Sequence, residues 1–150
     1  MISVKSTLRA LALSAVCLLG AFSQAAAEDL VAVVHESNSV SSVSKDELKQ
    51  YYLGQITNWG SGGVVSLVVQ PPNASASKAL FKQILKMAPS RFKHLWQEKS
   101  LSGQGVAPKK VGGSADAVIS QVSGKPTALG VLLKSEAPAG ASGVKLIPVQ

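Results

Sequence analysis

Four short, nearly unbroken apolar runs constrain the fold of this chain more than any other feature of its sequence. They span Leu30 to His35, Val64 to Val69, Leu129 to Leu133 and Val144 to Val149. Runs of this length are typical of strands that are buried on both faces of a mainly parallel sheet. Helical patterns separate most of them. The sequence therefore predicts an α/β fold, a single three-layer lobe in which helices flank a mainly parallel sheet.

Helix signals are found between these runs. Ser44 forms a capping-box pattern with Glu47, and Gly54 is placed to end that helix. Pro89 precedes a third helix, and Ser114 is the predicted N-cap of a fourth. The predicted helices run over about Lys45 to Leu53, Ser77 to Met87, from near Ser90 onward, and Ser114 to about Ser123. Segments rich in Gly, Ser and Asn are predicted loops, at 37–44, 54–63 and 102–114.

The N-terminal residues have the pattern of a secretory signal peptide. Lys5 and Arg9 precede the apolar run Leu11 to Phe22, and the small residues Ala25 to Ala27 follow it. We expect cleavage after Ala27, which removes residues 1–27 and leaves a periplasmic domain over 28–150. The run is too short to span a membrane, and no later stretch approaches the ~20 apolar residues that a spanning helix needs.

Charge and cysteine content narrow the class of function. Loss of Lys5 and Arg9 with the signal peptide leaves 13 basic and 8 acidic residues, a net charge of +5 that suits an anionic ligand or an acidic partner. The basic residues are scattered and the chain carries an export signal, so we expect no nucleic acid partner. The only cysteine, Cys17, lies in the signal peptide, which excludes disulfides and a thiolate zinc site in the exported domain.

The segment Gln70 to Ser77 is the candidate ligand site. It leaves an apolar run and opens a helix, so the hydroxyls of Ser75 and Ser77 and the amides of Ala76, Ser77 and Lys78 are expected to face an oxyanion. One of the two serines is alternatively only the N-cap of the helix. Asn73 either assists the anion or shapes the turn, and Asn73-Ala-Ser75 also matches the N-glycosylation sequon.

His35 is a further candidate ligand. It ends the first apolar run, where sites of α/β folds gather, and it either donates to an anion or is a hydrogen-bonded structural residue. His94 is expected to be solvated. The two histidines have no neighbouring ligands at a familiar metal spacing, and no carboxylate pair or nucleophile with its base is found. The sequence predicts a protein that is not an enzyme and has no cofactor.

Three regularly spaced lysines and the two tryptophans each allow a structural and a binding role. Lys78, Lys82 and Lys86 repeat at intervals of four residues and form either a solvated helix face or a surface for an acidic partner or anion. Trp59 and Trp96 lie beside apolar neighbours, which favours a place in the core over stacking on a ligand.

Several segments together resemble the second domain of periplasmic phosphate-binding proteins. They are Val33 to Ser42, Leu48 to Trp59 with its Leu-Gly-x-Ile-Thr-x-Trp pattern, Ser75 to Ser77 with Phe81, and Thr127 to Val131. The resemblance covers nearly the whole exported part. It implies a type 2 periplasmic binding protein fold and the solute-binding component of a phosphate-type ABC importer, with inorganic phosphate as ligand and the importer permease as partner.

The chain departs from this family in four respects. Its length corresponds to one lobe, so the second lobe of the binding cleft is lacking. Pro71 stands where the family has a phosphate-binding Arg, Ala76 replaces the loop Gly, and Val131 replaces a Tyr. A guanidinium binds an oxyanion through paired charge-assisted hydrogen bonds, so its loss predicts weak phosphate binding.

Three hypotheses follow. The first is an oxyanion-binding lobe that uses Ser75 to Ser77, with Asn73, His35 and the loop Ser37 to Ser42 as further candidates. The second is a periplasmic accessory protein that retains the fold, has no small-molecule ligand and binds another protein. The third is a homodimer in which two copies face each other and rebuild a two-lobed cleft.

Overall fold

The sheet has five strands and helices on both of its faces. The computed structural model describes residues 29–150, so the predicted signal peptide lies outside the described residues. The strand order is β3-β2-β4-β1-β5. The strands are β1 Leu30–His35, β2 Ser66–Val69, β3 Lys109–Lys110, β4 Ala128–Leu133 and β5 Val144–Pro148.

The helices agree with the sequence patterns except around residue 80. They are α1 Lys45–Tyr52, α2 Ser75–Ala79, α3 Pro89–Leu101 and α4 Ala115–Ser123. The predicted start of the second helix at Ser77 is wrong, since α2 begins at Ser75 and its N-cap is Ala74. The predicted end at Met87 is also late. The chain continues from α2 as a wider π-helical segment, Leu80–Leu85, and leaves it at Lys86 in a left-handed conformation with φ of 51°.

Local capping chemistry fixes the starts of α1 and α4 as predicted. Ser44 Oγ accepts the Glu47 amide at 3.0 Å, and a Glu47 carboxylate oxygen accepts the Ser44 amide at 2.9 Å. Ser114 Oγ accepts the Ala117 amide at 3.3 Å at the start of α4. These bonds satisfy donors that have no partner inside the helix, which is why the pattern can be read from sequence alone.

The α/β fold class is confirmed, and the sheet is mixed. β2 is parallel to both of its neighbours, β3 and β4, whereas β1 is antiparallel to β4 and to β5. The four apolar runs predicted as strands became β1, β2, β4 and β5. The fifth strand, β3, lies in the segment that was predicted to be a loop, because two exposed lysines carry no apolar pattern.

Apolar side chains alternate between two cores, one on each face of the sheet. α4 covers one face, where Val118 and Val122 pack against Val33, Val68 and Leu132. Gly130 of β4 allows this close approach, because a Cβ at that position would lie 2.6 Å from Val118 Cγ1. The other face packs against α1, α2, the π-helical segment and α3 through a larger cluster that includes the predicted core residues Trp59 and Trp96.

Tyr52 connects three elements on the larger-core face. Its side chain is fully buried, and its hydroxyl donates to the carbonyl of Val68 in β2 at 2.8 Å. The indole Nε1 of Trp96 in α3 donates to the Tyr52 carbonyl at 2.9 Å. Gly54 has φ of 68°, and a Cβ there would lie 2.9 Å from the Trp96 ring. The end of α1 therefore fixes both the carboxyl end of β2 and the position of α3.

No helix among residues 29–150 is long and apolar enough to cross a lipid bilayer.

Replacing Tyr52 by Phe should destabilise the domain. The variant loses one buried hydrogen bond and leaves the Val68 carbonyl with one partner fewer, so we expect a loss of about 1–2 kcal/mol in the free energy of unfolding. Urea unfolding at neutral pH measures it. Tyr51→Phe is the matched control, because the Tyr51 side chain is only partly buried and its ring contact with Trp59 is retained. Equal stability of the two variants would contradict the structural role of the Tyr52 hydroxyl.

The same residue should make stability depend on alkaline pH. Burial raises the pKa of Tyr52 above its ordinary value of 10.0. The unfolded chain therefore loses this proton first, and the stabilisation that is fully present below pH 10 declines as the pH rises, by about 1.4 kcal/mol per pH unit. Tyr52→Phe removes this contribution and retains that of Tyr51, whose pKa burial also raises. We expect a shallower alkaline decline for the variant in urea titrations, and parallel curves would contradict it.

Candidate functional site

The loop after β2, residues 70–74, is held by the hydrogen bonds of Gln70. The Gln70 side chain is 5% exposed, and its Nε2 donates to the Ser114 carbonyl at 3.0 Å. The main-chain carbonyl of Gln70 accepts the Ser77 hydroxyl at 2.9 Å. A turn closes the loop, in which the Ala74 amide donates to the Pro71 carbonyl at 2.9 Å. The start of α2 is thereby fixed against β2 and against the N-cap of α4.

The first turn of α2 has an open end. Its N-cap residue, Ala74, has no side-chain oxygen that could cap the helix. Within residues 29–150, the amides of Ser75, Ala76 and Ser77 make no hydrogen bond, whereas the Lys78 amide, predicted to face the anion, donates to the Ala74 carbonyl at 3.0 Å. Ser75 is exposed. Three amides thus have no partner among residues 29–150, and of the three residues only Ser75 is exposed.

The two candidate serines differ in their surroundings. Ser77 is 2% exposed and its hydroxyl hydrogen is used by the Gln70 carbonyl, so its side chain supports the loop. Ala76 is buried as well. Its methyl side chain cannot donate a hydrogen bond, so its only candidate donor is its main-chain amide in the first turn of α2. Asn73 is exposed in the loop two residues before Ser75. The structure therefore places Asn73 and Ser75 at the surface, and Ala76 and Ser77 beneath it.

His35 does not join these residues. β1 runs antiparallel to β4, so its last residue lies beside the first residues of β4 and β2, at the end of the sheet opposite Gln70. Four residues of strand separate the two levels, roughly 13 Å along the strand direction. His35 Nδ1 lies 2.7 Å from Ser37 Oγ and accepts the Ser37 amide at 3.1 Å. We predicted that His35 lies with the other candidates at the carboxyl ends of the strands, which requires β1 to be parallel to its neighbours. It is antiparallel to β4 instead.

A large apolar groove was not predicted from the sequence. It encloses about 960 Å³ between α3, the loop after β2 and the segment that leads into β3. Its walls include Phe81, Phe92 and Trp96, together with Pro71 and Pro72. The sequence holds one hint of this groove, the apolar residues Leu101 and Val106 in the predicted third helix and the loop after it. Their side chains are 89% and 85% exposed, which only the fold reveals.

A second hollow of about 530 Å³ continues this groove. The two hollows share Pro72, Phe81 and Pro89 in their walls. The second is also lined by Lys78, Lys82 and Lys86, the lysines predicted to share one face. We call the two hollows together the α3 groove.

Gln70 is also one of the residues that line this groove. The Ser114 carbonyl can only accept a hydrogen bond, so the end of the Gln70 side-chain amide that faces it is the donor Nε2. The oxygen Oε1 therefore points the other way. Oε1 is buried and has no hydrogen-bond partner among the described residues. An unpaired buried acceptor of this kind costs about 1–3 kcal/mol and is uncommon in folded proteins.

The described residues offer no site for a metal ion. No group of three or more His, Cys, Asp or Glu side chains comes together among residues 29–150.

Comparison with known proteins identifies both the family and the fold. The model of a PBP superfamily domain matches residues 20–144. The fold is similar to an ABC-type phosphate transport receptor from Vibrio cholerae, with 19% identity, a TM-score of 0.60, and coverage of 80% of this chain and 45% of that one. It is also similar to PstS from Borrelia burgdorferi, with 15% identity, a TM-score of 0.61, and coverage of 82% and 47%.

The chain spans less than half the length of these two solved proteins. Among curated protein sequences, none matches it. At identities this low the likeness is one of fold, and the ligands of the two proteins do not transfer with it.

Alanine substitution should separate the structural serine from the exposed one. Ser77→Ala removes a buried hydrogen bond and leaves the Gln70 carbonyl with one donor fewer, so we expect a loss of about 1–2 kcal/mol in the free energy of unfolding. Ser75→Ala at an exposed first helical position should change it by less than about 0.5 kcal/mol. Denaturant unfolding of both variants measures this difference. A reversed order would contradict the hydrogen bonding described here.

Proposed function

Because this chain belongs to the PBP superfamily, we propose that it is an exported, non-catalytic binding protein for inorganic phosphate or a similar oxyanion. The signal peptide pattern of residues 1–27 supports export to the periplasm. The two similar solved proteins are named for phosphate transport and as PstS, which supports a phosphate ligand and an importer permease as partner.

The open start of α2 is the observation that carries the proposal. The amides of Ser75, Ala76 and Ser77 are unpaired within the described residues, and the Ser75 hydroxyl is exposed beside them. Backbone N–H groups at a helix start attract negative charge and donate to anion oxygens. Asn73 lies close in sequence and can add a side-chain amide, whereas the position of His35 at the opposite end of the sheet excludes it from this site.

Affinity at this site should be low. The position of the family's Arg is occupied by Pro71, so no guanidinium contributes a paired contact. Each interaction at an exposed helix start contributes roughly 0.3–1 kcal/mol, whereas a millimolar dissociation constant already corresponds to about 4 kcal/mol and a micromolar one to about 8. We therefore expect millimolar binding unless a second surface closes over the loop.

A second candidate function is that of a periplasmic accessory protein that binds another protein. The α3 groove favours it, since a large apolar hollow with exposed Leu101 at its edge is typical of an interaction surface. A homodimer that rebuilds a two-lobed cleft is a third arrangement, and light scattering with and without phosphate tests it.

Titration with phosphate, followed by amide resonances in solution NMR, tests the oxyanion site directly. We expect the amide signals of Ser75, Ala76 and Ser77 to shift in a saturable manner at millimolar phosphate, and not with chloride at equal ionic strength. Ser75→Ala should weaken the binding several-fold, because one donor is lost. Ser61→Ala, at an exposed loop serine remote from α2 in sequence, is the matched control and should bind as the native chain does.

Two outcomes would contradict the proposal. One is the absence of any saturable shift at Ser75 to Ser77. The other is phosphate binding that Ser75→Ala and Ser61→Ala leave equally unchanged, which would place the anion elsewhere on the surface.

A further inference from the structure

The α3 groove has a rigid apolar floor. Phe81 and Phe92 meet edge to face at 5.3 Å between ring centroids, and Phe92 meets Trp96 in the same way at 6.4 Å. Trp96 is held in turn by the hydrogen bond from its indole to the Tyr52 carbonyl. Aromatic rings packed in this way lose little conformational freedom when a partner binds, which favours binding.

The charge around the groove has a single sign. Five lysines line its two hollows, and no Asp or Glu does: Lys78, Lys82, Lys86, Lys93 and Lys110. None of the five forms an ion pair with another described residue. An occupant that carries negative charge is therefore attracted, and a basic one is repelled. A second copy of this chain would bring the same lysines to the interface.

The shape of the groove suits an elongated occupant. The larger hollow, about 960 Å³, is already at the upper limit of ordinary small-molecule sites, and the second hollow extends it past Pro72, Phe81 and Pro89. The edge strand β3 runs along the same region, since its Lys110 lines the groove. One side of β3 pairs with β2, and the other is the edge of the sheet, where an extended segment can add main-chain hydrogen bonds.

From these features we propose that the α3 groove binds an extended, acidic segment of a partner protein. Apolar side chains of the segment enter the aromatic hollow, its carboxylates lie against the lysines, and its backbone runs beside β3. This inference does not depend on oxyanion binding at α2, since it uses a different surface and different side chains.

A labelled peptide of alternating Leu and Glu, about twelve residues long, is the probe. Fluorescence anisotropy with the exported chain should show saturable binding that weakens with added salt. Two control peptides keep the length: one replaces Leu by Ser, and the other replaces Glu by Lys. We expect the first to bind at least roughly tenfold more weakly and the second not to bind, because each removes one of the two matched properties.

Variants of the protein locate the binding. Lys93→Glu combined with Lys110→Glu, and separately Leu101→Asp, should each weaken the acidic peptide roughly tenfold or more. Leu101 is 89% exposed, so its substitution leaves the core intact. The matched controls are Lys125→Glu with Lys134→Glu, at exposed lysines outside the groove, and Val64→Asp, at an apolar residue that is 62% exposed. These should bind as the native chain does.

Any one of four results would overturn the inference. The acidic amphipathic peptide fails to bind, or the groove variants and their controls weaken it equally, or the Ser-containing peptide binds as well as the Leu-containing one. Sedimentation that shows a dimer dissociated by Leu101→Asp would assign the groove to a second copy instead. The phosphate titration is read at Ser75 to Ser77, so the two proposals can fail separately.

Discussion

The buried junction at Tyr52 determines where the candidate functional surfaces of this domain lie. One residue at the end of α1 donates its hydroxyl to β2 and accepts the indole of Trp96 from α3. The carboxyl end of β2, which leads into the open start of α2, and the helix that forms one wall of the groove are therefore fixed to the same point. Burial of the Tyr52 hydroxyl does not leave an unsatisfied polar group, because the hydroxyl donates a hydrogen bond inside the core.

Because β1 runs opposite to β2 and β4, the candidate ligand residues lie at two opposite ends of the sheet. β2 is parallel to β4, and both end toward the α2 start, whereas β1 ends at the opposite side. His35 and the loop that follows it are consequently separated from Ser75. Ligand sites in α/β folds gather where parallel strands end, so the antiparallel strand removes its terminal residues from the candidate site.

Two surfaces of different chemistry meet at the loop after β2. On one side is the start of α2, the proposed anion site, where three amides have no partner among residues 29–150. On the other is the aromatic α3 groove, whose five lysines form no ion pair within the described part of the chain and which offers apolar contact and positive charge over a longer span. Gln70 connects the two, since its main-chain carbonyl accepts the Ser77 hydroxyl and the residue also lines the groove. Both surfaces match the net positive charge of the chain, +7.

The sequence by itself determined the features that depend on neighbours along the chain. The capping bonds of Ser44 and Ser114 join residues three positions apart, and the apolar runs record burial on both faces of β1 and β4. Only the tertiary structure decided strand direction, the pairing of Lys109–Lys110 as β3, and the groove. It also decided that Ser77 supports the loop while Ser75 faces solvent. These features depend on contacts between residues that are far apart in sequence. The side-chain types of those residues are compatible with several arrangements, and only the packing of the whole chain selects one.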